Sequence, residues 1–104
     1  MNFTEYQKLA IVTKQKWPDR RGDLANCGLG IAGEAGEVAE IIKKQLSGVK
    51  ELDAEKLKYE LGDVLWYIAS LCDCLGFDMG TVAEMNIAKL KARHGAGFSG
   101  MGKR

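Results

Sequence analysis

Apolar residues recur every three or four positions along almost the whole of this sequence, and that spacing covers one face of an α-helix. The alternation of apolar and polar residues that marks a half-buried strand is scarce. Proline, which interrupts helices, occurs once, at Pro18. The pattern therefore predicts an all-α protein.

Residues that break or cap helices divide the chain into four predicted helices. Pro18 and Gly22 end the first, because a proline displaces the preceding residue from the helical region. Asp53 and Asp78 are suitable N-caps for the third and fourth. The glycine-rich sequence from about residue 94 predicts a flexible tail. The predicted bounds are about 3–16, 24–26 to 46, 54–75 and 79–93.

Two acidic pairs lie in the second and third predicted helices. Glu34 and Glu37 are three residues apart, as are Glu60 and Asp63, so each pair occupies one helical face. Like charges at this spacing repel each other, and both pairs lie in otherwise apolar runs. A cation between the pairs would offset the repulsion. Mg²⁺, with Mn²⁺ as a possible substitute, prefers such oxygen ligands.

A solvated, salt-bridged helix face is the alternative interpretation of these acids. Lysines at 43, 44, 56 and 58 are near enough along the chain to pair with them, and exposed pairs of this kind contribute little. The apolar flanks favour partial burial instead. Glycines at 28, 30, 33 and 36 are costly in a helix, which predicts close approach of another helix or a ligand to the backbone.

The amino-acid sequence of the acidic motifs resembles the signature of the MazG-like all-α nucleoside triphosphate pyrophosphohydrolases. The matching segments are Gly33-Glu34-Ala35-Gly36-Glu37-Val38-Ala39-Glu40 and Glu60-Leu61-Gly62-Asp63-Val64-Leu65-Trp66-Tyr67. The similarity runs from about residue 26 to Arg93. It implies a four-helix bundle-like fold with the active site between helices 2 and 3.

The same resemblance implies a reaction. A nucleoside triphosphate is hydrolysed between its α and β phosphates to the monophosphate and pyrophosphate. The expected substrate is a non-canonical or deoxy nucleotide, and its hydrolysis would remove it from the nucleotide pool. Mg²⁺ would be held by Glu34, Glu37, Glu60 and Asp63. For Glu40 three roles stay open: a further ligand, a base for the attacking water, or an ion-pair partner of Lys44.

Other residues are candidates for substrate binding. Tyr67 follows Asp63 by four residues and so shares the acidic face, where it would stack on a base, bind a phosphate oxygen or simply pack in the core. Asn86, Lys89 and Arg93 form one stripe of the fourth helix, which on its own would be a solvent-facing surface. The resemblance makes Lys89 and Arg93 phosphate clamps and Asn86 a polar contact.

Size and charge limit the remaining possibilities. A net charge of +1 attracts neither nucleic acid nor an anionic membrane, and no apolar run approaches the ~20 residues that a bilayer requires. The N-terminus lacks the features of a signal peptide, so we expect a cytoplasmic protein.

The 104 residues predict a single domain. Its second and third helices are too apolar to be covered within one chain, which predicts a homo-oligomer, a dimer or a dimer of dimers.

Rival functions differ in what they require. A di-iron bundle uses Glu-x-x-His pairs, whereas the sole histidine here is His94, in the predicted tail. A phosphoribosyl-ATP pyrophosphohydrolase shares the implied fold and chemistry, and a non-catalytic helical interaction module would use the acids as a recognition surface.

Three cysteines without a Cys-x-x-Cys motif predict free, largely buried thiols. The preferred base does not follow from these patterns.

Overall fold

A computed structural model describes residues 1–95 of the chain. This range contains four α-helices, one 3₁₀ turn and no strand, which confirms the predicted all-α class. The predicted flexible tail lies, from residue 96 on, outside the described residues. The elements are α1 (Phe3–Ala10), the 3₁₀ turn (Ile11–Thr13), α2 (Arg20–Leu46), α3 (Ala54–Leu75) and α4 (Met79–His94).

The first helix is shorter than predicted, and the second begins earlier. After the 3₁₀ turn the backbone is extended at Lys14, whose ammonium group enters a buried position between α2 and α3. Asp19 then caps α2, because its carboxylate accepts a 2.6 Å hydrogen bond from the backbone N–H of Gly22. Gly22 therefore lies in the first turn of α2, where we had expected a break.

The third helix has the bounds that its local signals predict. The Asp53 carboxylate accepts a 3.0 Å hydrogen bond from the backbone N–H of Lys56, and Gly76 ends the helix with a φ of 74°, a conformation that favours glycine. α4 begins as predicted after Asp78. The Asp78 carboxylate accepts hydrogen bonds from the Thr4 and Thr81 hydroxyls, and its pKa is lowered first by these two hydroxyls and then by the backbone N–H groups of Thr81 and Gly80.

Hydrogen bonds fix α1 against α3 and the start of α4. The buried side chain of Gln7 donates to the Phe77 carbonyl at 2.9 Å and accepts from the Met79 backbone N–H at 2.8 Å. The Trp66 indole donates to the Ala10 carbonyl at 3.1 Å and to the Thr13 hydroxyl at 2.9 Å. The first helix therefore lies across the C-terminal half of α3.

α2 and α3 pack along each other as an antiparallel pair, whereas no α-carbon of α4 lies within 8 Å of one in α2. The radius of gyration is 16.6 Å, against about 13 Å for a compact domain of 100 residues. Few apolar side chains are buried within the described chain, namely Cys27, Ala69, Cys72 and Met79. The four helices thus leave much of their apolar surface uncovered.

Only one of the four glycines singled out in α2 is closely approached in the described chain. The ring of Tyr67 lies directly over Gly30, where a methyl group would overlap it. At Gly28, Gly33 and Gly36 a methyl group would meet no atom within 4 Å. Close approach of another helix is therefore confirmed at Gly30, and no other helix of the described chain approaches Gly28, Gly33 or Gly36.

The three cysteines are free, with Cys27 and Cys72 buried and Cys74 half-buried, as predicted. No helix in residues 1–95 combines the length and the apolar character that a membrane span needs.

Candidate active site

Three carboxylates from two helices converge between α2 and α3. Glu34 comes from α2, and Glu60 and Asp63 come from successive turns of α3. One oxygen of each lies within 4.8 Å of the others, with Glu34 and Glu60 half-buried and Asp63 exposed. This is the only group of three or more potential metal-binding side chains within residues 1–95. The antiparallel packing brings together residues that are far apart in sequence.

The electrostatics of this group are unfavourable without a cation. The pKa of Glu34 is raised, first by burial, then by the charge of Asp63, by a hydrogen bond with Glu60 and by the charges of Glu60 and Glu37. Glu37 therefore lies close enough to act on Glu34, although it is exposed and outside the group of three. A bound cation would relieve this repulsion.

The donor set fits a hard divalent cation. All three converging groups are carboxylates, with no histidine or cysteine among them, and oxygen ligands suit Mg²⁺ or Mn²⁺. Since Asp63 is exposed, one side of the group is open to water and to ligands from solution.

Glu40 lies beyond Glu37 on α2 and pairs with Lys44 at 3.9 Å, with both side chains about half exposed. Of the three roles considered for Glu40, the ion pair is thus present in the structure. An exposed pair of this kind is weak.

Comparison with known proteins identifies the family of this chain. Residues 24–98 match the family model described as the MazG nucleotide pyrophosphohydrolase domain. The chain belongs to the MazG family. It is 38% identical to the Gene 37 protein of Mycobacterium phage L5, over an alignment that covers 66% of this chain and 64% of that relative. The match therefore spans less than two thirds of the relative's length. No solved structure matches the chain.

In this MazG domain, Tyr67 faces α2. Its ring lies over Gly30 and contacts the Trp66 ring edge-on, with centroids 4.9 Å apart and an interplanar angle of 87°. Trp66 is turned toward α1, to which it donates its hydrogen bonds. Tyr67 is therefore one turn beyond Asp63 on the side of the carboxylates, as its spacing predicts.

Within the described residues, the polar stripe of α4 makes no ion pair with the carboxylates. Asn86, Lys89 and Arg93 are all exposed. The described residues include no salt bridge from Lys89 or Arg93 to an acid. No α-carbon of α4 lies within 8 Å of one in α2, whereas α4 does contact α3, the helix that carries Glu60 and Asp63.

Our sequence reasoning missed a buried ion-pair network at the other end of the α2–α3 pair. Lys14, whose side chain is 4% exposed, donates to Asp23, to Asp73 and to the Ser70 carbonyl, each at 3.2 Å. Burial lowers the pKa of Lys14, but the hydrogen bonds with Asp23 and Asp73 outweigh it and raise that pKa. The neighbouring Cys74 thiol and Lys14 lower the pKa of Asp23. No periodic pattern signals this network, because its members come from three separate segments.

Tyr6 is a second residue that the sequence did not indicate. Burial raises the pKa of its hydroxyl, and so does the charge of Asp63. Tyr6 packs against the buried cluster of Ala69, Cys72 and Met79, and Asp63 is near enough for its charge to act on the Tyr6 hydroxyl.

Proposed function

We propose that this chain is a Mg²⁺-dependent nucleoside triphosphate pyrophosphohydrolase that acts on non-canonical or deoxy nucleotides in the cytoplasm and so cleans the nucleotide pool. Its family membership supports nucleotide pyrophosphohydrolysis. The observation that carries the proposal is the convergence of Glu34, Glu60 and Asp63 from two helices onto one point. A solvated acidic face would not require carboxylates from two helices to lie within 4.8 Å of one another.

In this proposal Glu34, Glu37, Glu60 and Asp63 hold the metal ion. Bound there, Mg²⁺ would neutralise phosphate charge and favour attack by water near neutral pH. The water oxygen attacks the α-phosphorus, the bond from that phosphorus to the α–β bridging oxygen breaks, and pyrophosphate leaves with the bonding electron pair. Glu40 is the proposed acceptor of the water's proton. Tyr67 is the proposed contact for the nucleoside.

The phosphate clamps of α4 are proposed to act between subunits. Lys89 and Arg93 are charged, exposed and remote from α2 of their own chain, so a second copy can present them to the acids. Such contacts with phosphate are charge-assisted and typically contribute about 1.5–3 kcal/mol. Asn86 would add a polar contact from the same stripe.

A homo-oligomer, a dimer or a dimer of dimers, is supported by the uncovered faces of the helices. The outer side of α2 carries a seam of small and apolar residues spaced four and three apart, the spacing by which two helices pack along each other. All five are exposed: Ala25, Leu29, Ala32, Gly36 and Ala39. A second apolar face on α3 includes Leu61 and Leu65, which are 49% and 36% exposed. Two faces of this kind suit a second copy of the same chain.

The test is a hydrolysis panel of canonical, deoxy and damaged triphosphates and phosphoribosyl-ATP, each with Mg²⁺, in which pyrophosphate release is measured. We expect turnover of at least one triphosphate, abolished by EDTA and by Asp63→Asn. Faster release from phosphoribosyl-ATP than from any triphosphate would favour the phosphoribosyl-ATP enzyme. Absence of turnover across the panel would contradict the proposal and favour a non-catalytic interaction module.

A further inference from the structure

The contact between Gly30 and Tyr67 lies next to the carboxylate group along the α2–α3 pair. Glu34 of α2 converges with Asp63 of α3. Four residues earlier on α2 and four later on α3, the Tyr67 ring lies over Gly30. Four residues are about one helical turn, or roughly 6 Å. The antiparallel packing therefore places the Tyr67 ring about one turn from the proposed metal site.

The ring lies directly against the backbone of α2. A methyl group at Gly30 would lie 2.7 Å from Cζ of the Tyr67 ring and closer still to Cδ1 and Cε1. Carbon atoms in favourable contact are about 3.5–4.0 Å apart, so a methyl group would displace the ring by about 1 Å or more. Only glycine lets the ring lie this close to α2.

The ring would move more easily than the helices. Cys27 and Ser70, the next facing residues toward the Lys14 network, are 0% and 1% exposed, so α2 and α3 are closely packed there. The Tyr67 side chain is half-buried. Its hydroxyl makes no hydrogen bond within the described residues. A methyl group at Gly30 would therefore push the ring outward, away from α2.

We infer that Gly30 is a specificity-determining residue, because it sets how much room the Tyr67 ring leaves for the sugar of the nucleotide. The inference rests on the proposed function and deepens it. With the α-phosphorus at the carboxylates, the sugar is joined to that phosphorus through one oxygen and lies within about one helical turn of it. A ring pushed outward takes up space on that side. A ribonucleotide needs more of this space than a deoxynucleotide, since it carries a 2′-hydroxyl.

The experiment is isothermal titration of two non-hydrolysable triphosphates of one base, the ribo and the deoxy form, with Mg²⁺ present. The measured quantity is the ratio of the ribo Kd to the deoxy Kd. Gly30→Ala should raise this ratio by about 10-fold, an effect typical of one group added to a packed pocket. Gly28→Ala is the matched control, because it adds the same methyl group to α2 where no atom of the described chain lies within 4 Å. It should leave the ratio unchanged.

Removal of the ring tests whether Gly30 acts through Tyr67. Tyr67→Ala should lower the ratio, because it opens the space beside the sugar. In the double variant Gly30→Ala/Tyr67→Ala the methyl group has no ring to displace, so the ratio should equal that of Tyr67→Ala alone. Melting temperatures confirm that the variants fold. If Gly30→Ala alone does not fold, the comparison of Tyr67→Ala with the double variant and with wild type decides the question.

Equal changes in the two Kd values of Gly30→Ala overturn the inference, because they report general damage to the site. A difference in ratio between the double variant and Tyr67→Ala overturns it too, as does an unchanged ratio in Tyr67→Ala or failure of wild type to bind either analogue. Triphosphate hydrolysis by the wild-type protein is measured in parallel, and only its absence contradicts the proposed function. The two conclusions therefore fail separately.

Discussion

In the metal-free protein, the surroundings of Glu34 oppose the charged form of its carboxylate. Burial and neighbouring carboxylates raise its pKa in the folded state, so the native protein retains a proton over a pH range in which the unfolded chain has lost it. Stability of the metal-free protein should therefore increase as pH falls from about 7 toward the unfolded pKa of ~4.3. Glu34→Gln should remove this dependence and raise the metal-free melting temperature.

Mg²⁺ should reverse the trend, because it binds the native state and competes with protons for the same carboxylates. Thermal melts with EDTA and with ~10 mM Mg²⁺, at pH 5 and pH 8, measure both effects. We expect a larger Mg²⁺-dependent increase at pH 8. If the wild-type melting temperature does not change with Mg²⁺, even with a non-hydrolysable triphosphate present, the proposed metal site is contradicted.

Lys14 is expected to be the most important single charge for stability. Lys14→Ala leaves Asp23 and Asp73 without their shared cation, a type of loss that costs about 3–5 kcal/mol when all partners are buried. Since Asp73 is 31% exposed, we expect about 2–3 kcal/mol here, measured by urea denaturation. Lys16→Ala, two residues away and exposed, is the control. Equal, small losses in both variants would show that the network contributes little.

The sequence predicted the carboxylates better than their surroundings. The spacing of the acids and the sequence of the motifs are local features, and they were enough to predict Glu34, Glu60 and Asp63 as site residues. The contact of Lys14 with Asp23 and Asp73 joins residues up to 59 positions apart, and no local pattern encodes it. The extended backbone at Lys14, which the sequence placed inside the first helix, accompanies this contact.

At the scale of the elements, Asp53 and Gly76 show why α3 was predicted well. Both act on backbone groups within a few residues of themselves, so the sequence alone fixes the two ends of the helix. The arrangement of α4 relative to α2 depends on tertiary contacts at Gln7 and Asp78. Helical periodicity therefore did not reveal that α4 would lie apart from α2.

The packing of α2 on α3 can be tested with a matched pair of glycine substitutions. Gly30→Ala places a methyl group within the Tyr67 ring, and overpacking of this kind costs about 1–3 kcal/mol. Gly33→Ala meets no atom within 4 Å and replaces a poor helix former, so it should stabilise the chain by up to about 1 kcal/mol. Chemical denaturation of both variants measures the difference. Equal changes in the free energy of unfolding would mean that the Tyr67 ring does not pack closely against Gly30 of α2.

At the scale of the whole molecule, the open shape and the remote α4 have one explanation in common. A second copy would cover the seam on α2 and could also bring Lys89 and Arg93 to acids with which they make no ion pair within the described part of their own chain. Sedimentation should therefore show a species heavier than the 11.4 kDa chain at micromolar concentration. A monomer alone would contradict both proposals.

Mixing two inactive variants tests whether the site is shared between chains. Asp63→Asn lacks a metal ligand but keeps its clamps, and the double variant Lys89→Ala/Arg93→Ala lacks clamps but keeps its acids. If the clamps act between subunits, each mixed dimer contains one complete site. Random exchange of an equal mixture should then restore about a quarter of the wild-type sites. If the clamps act within one chain, every site stays defective and mixing restores nothing. Pyrophosphate release before and after subunit exchange distinguishes the two arrangements, with each variant mixed with itself as the control.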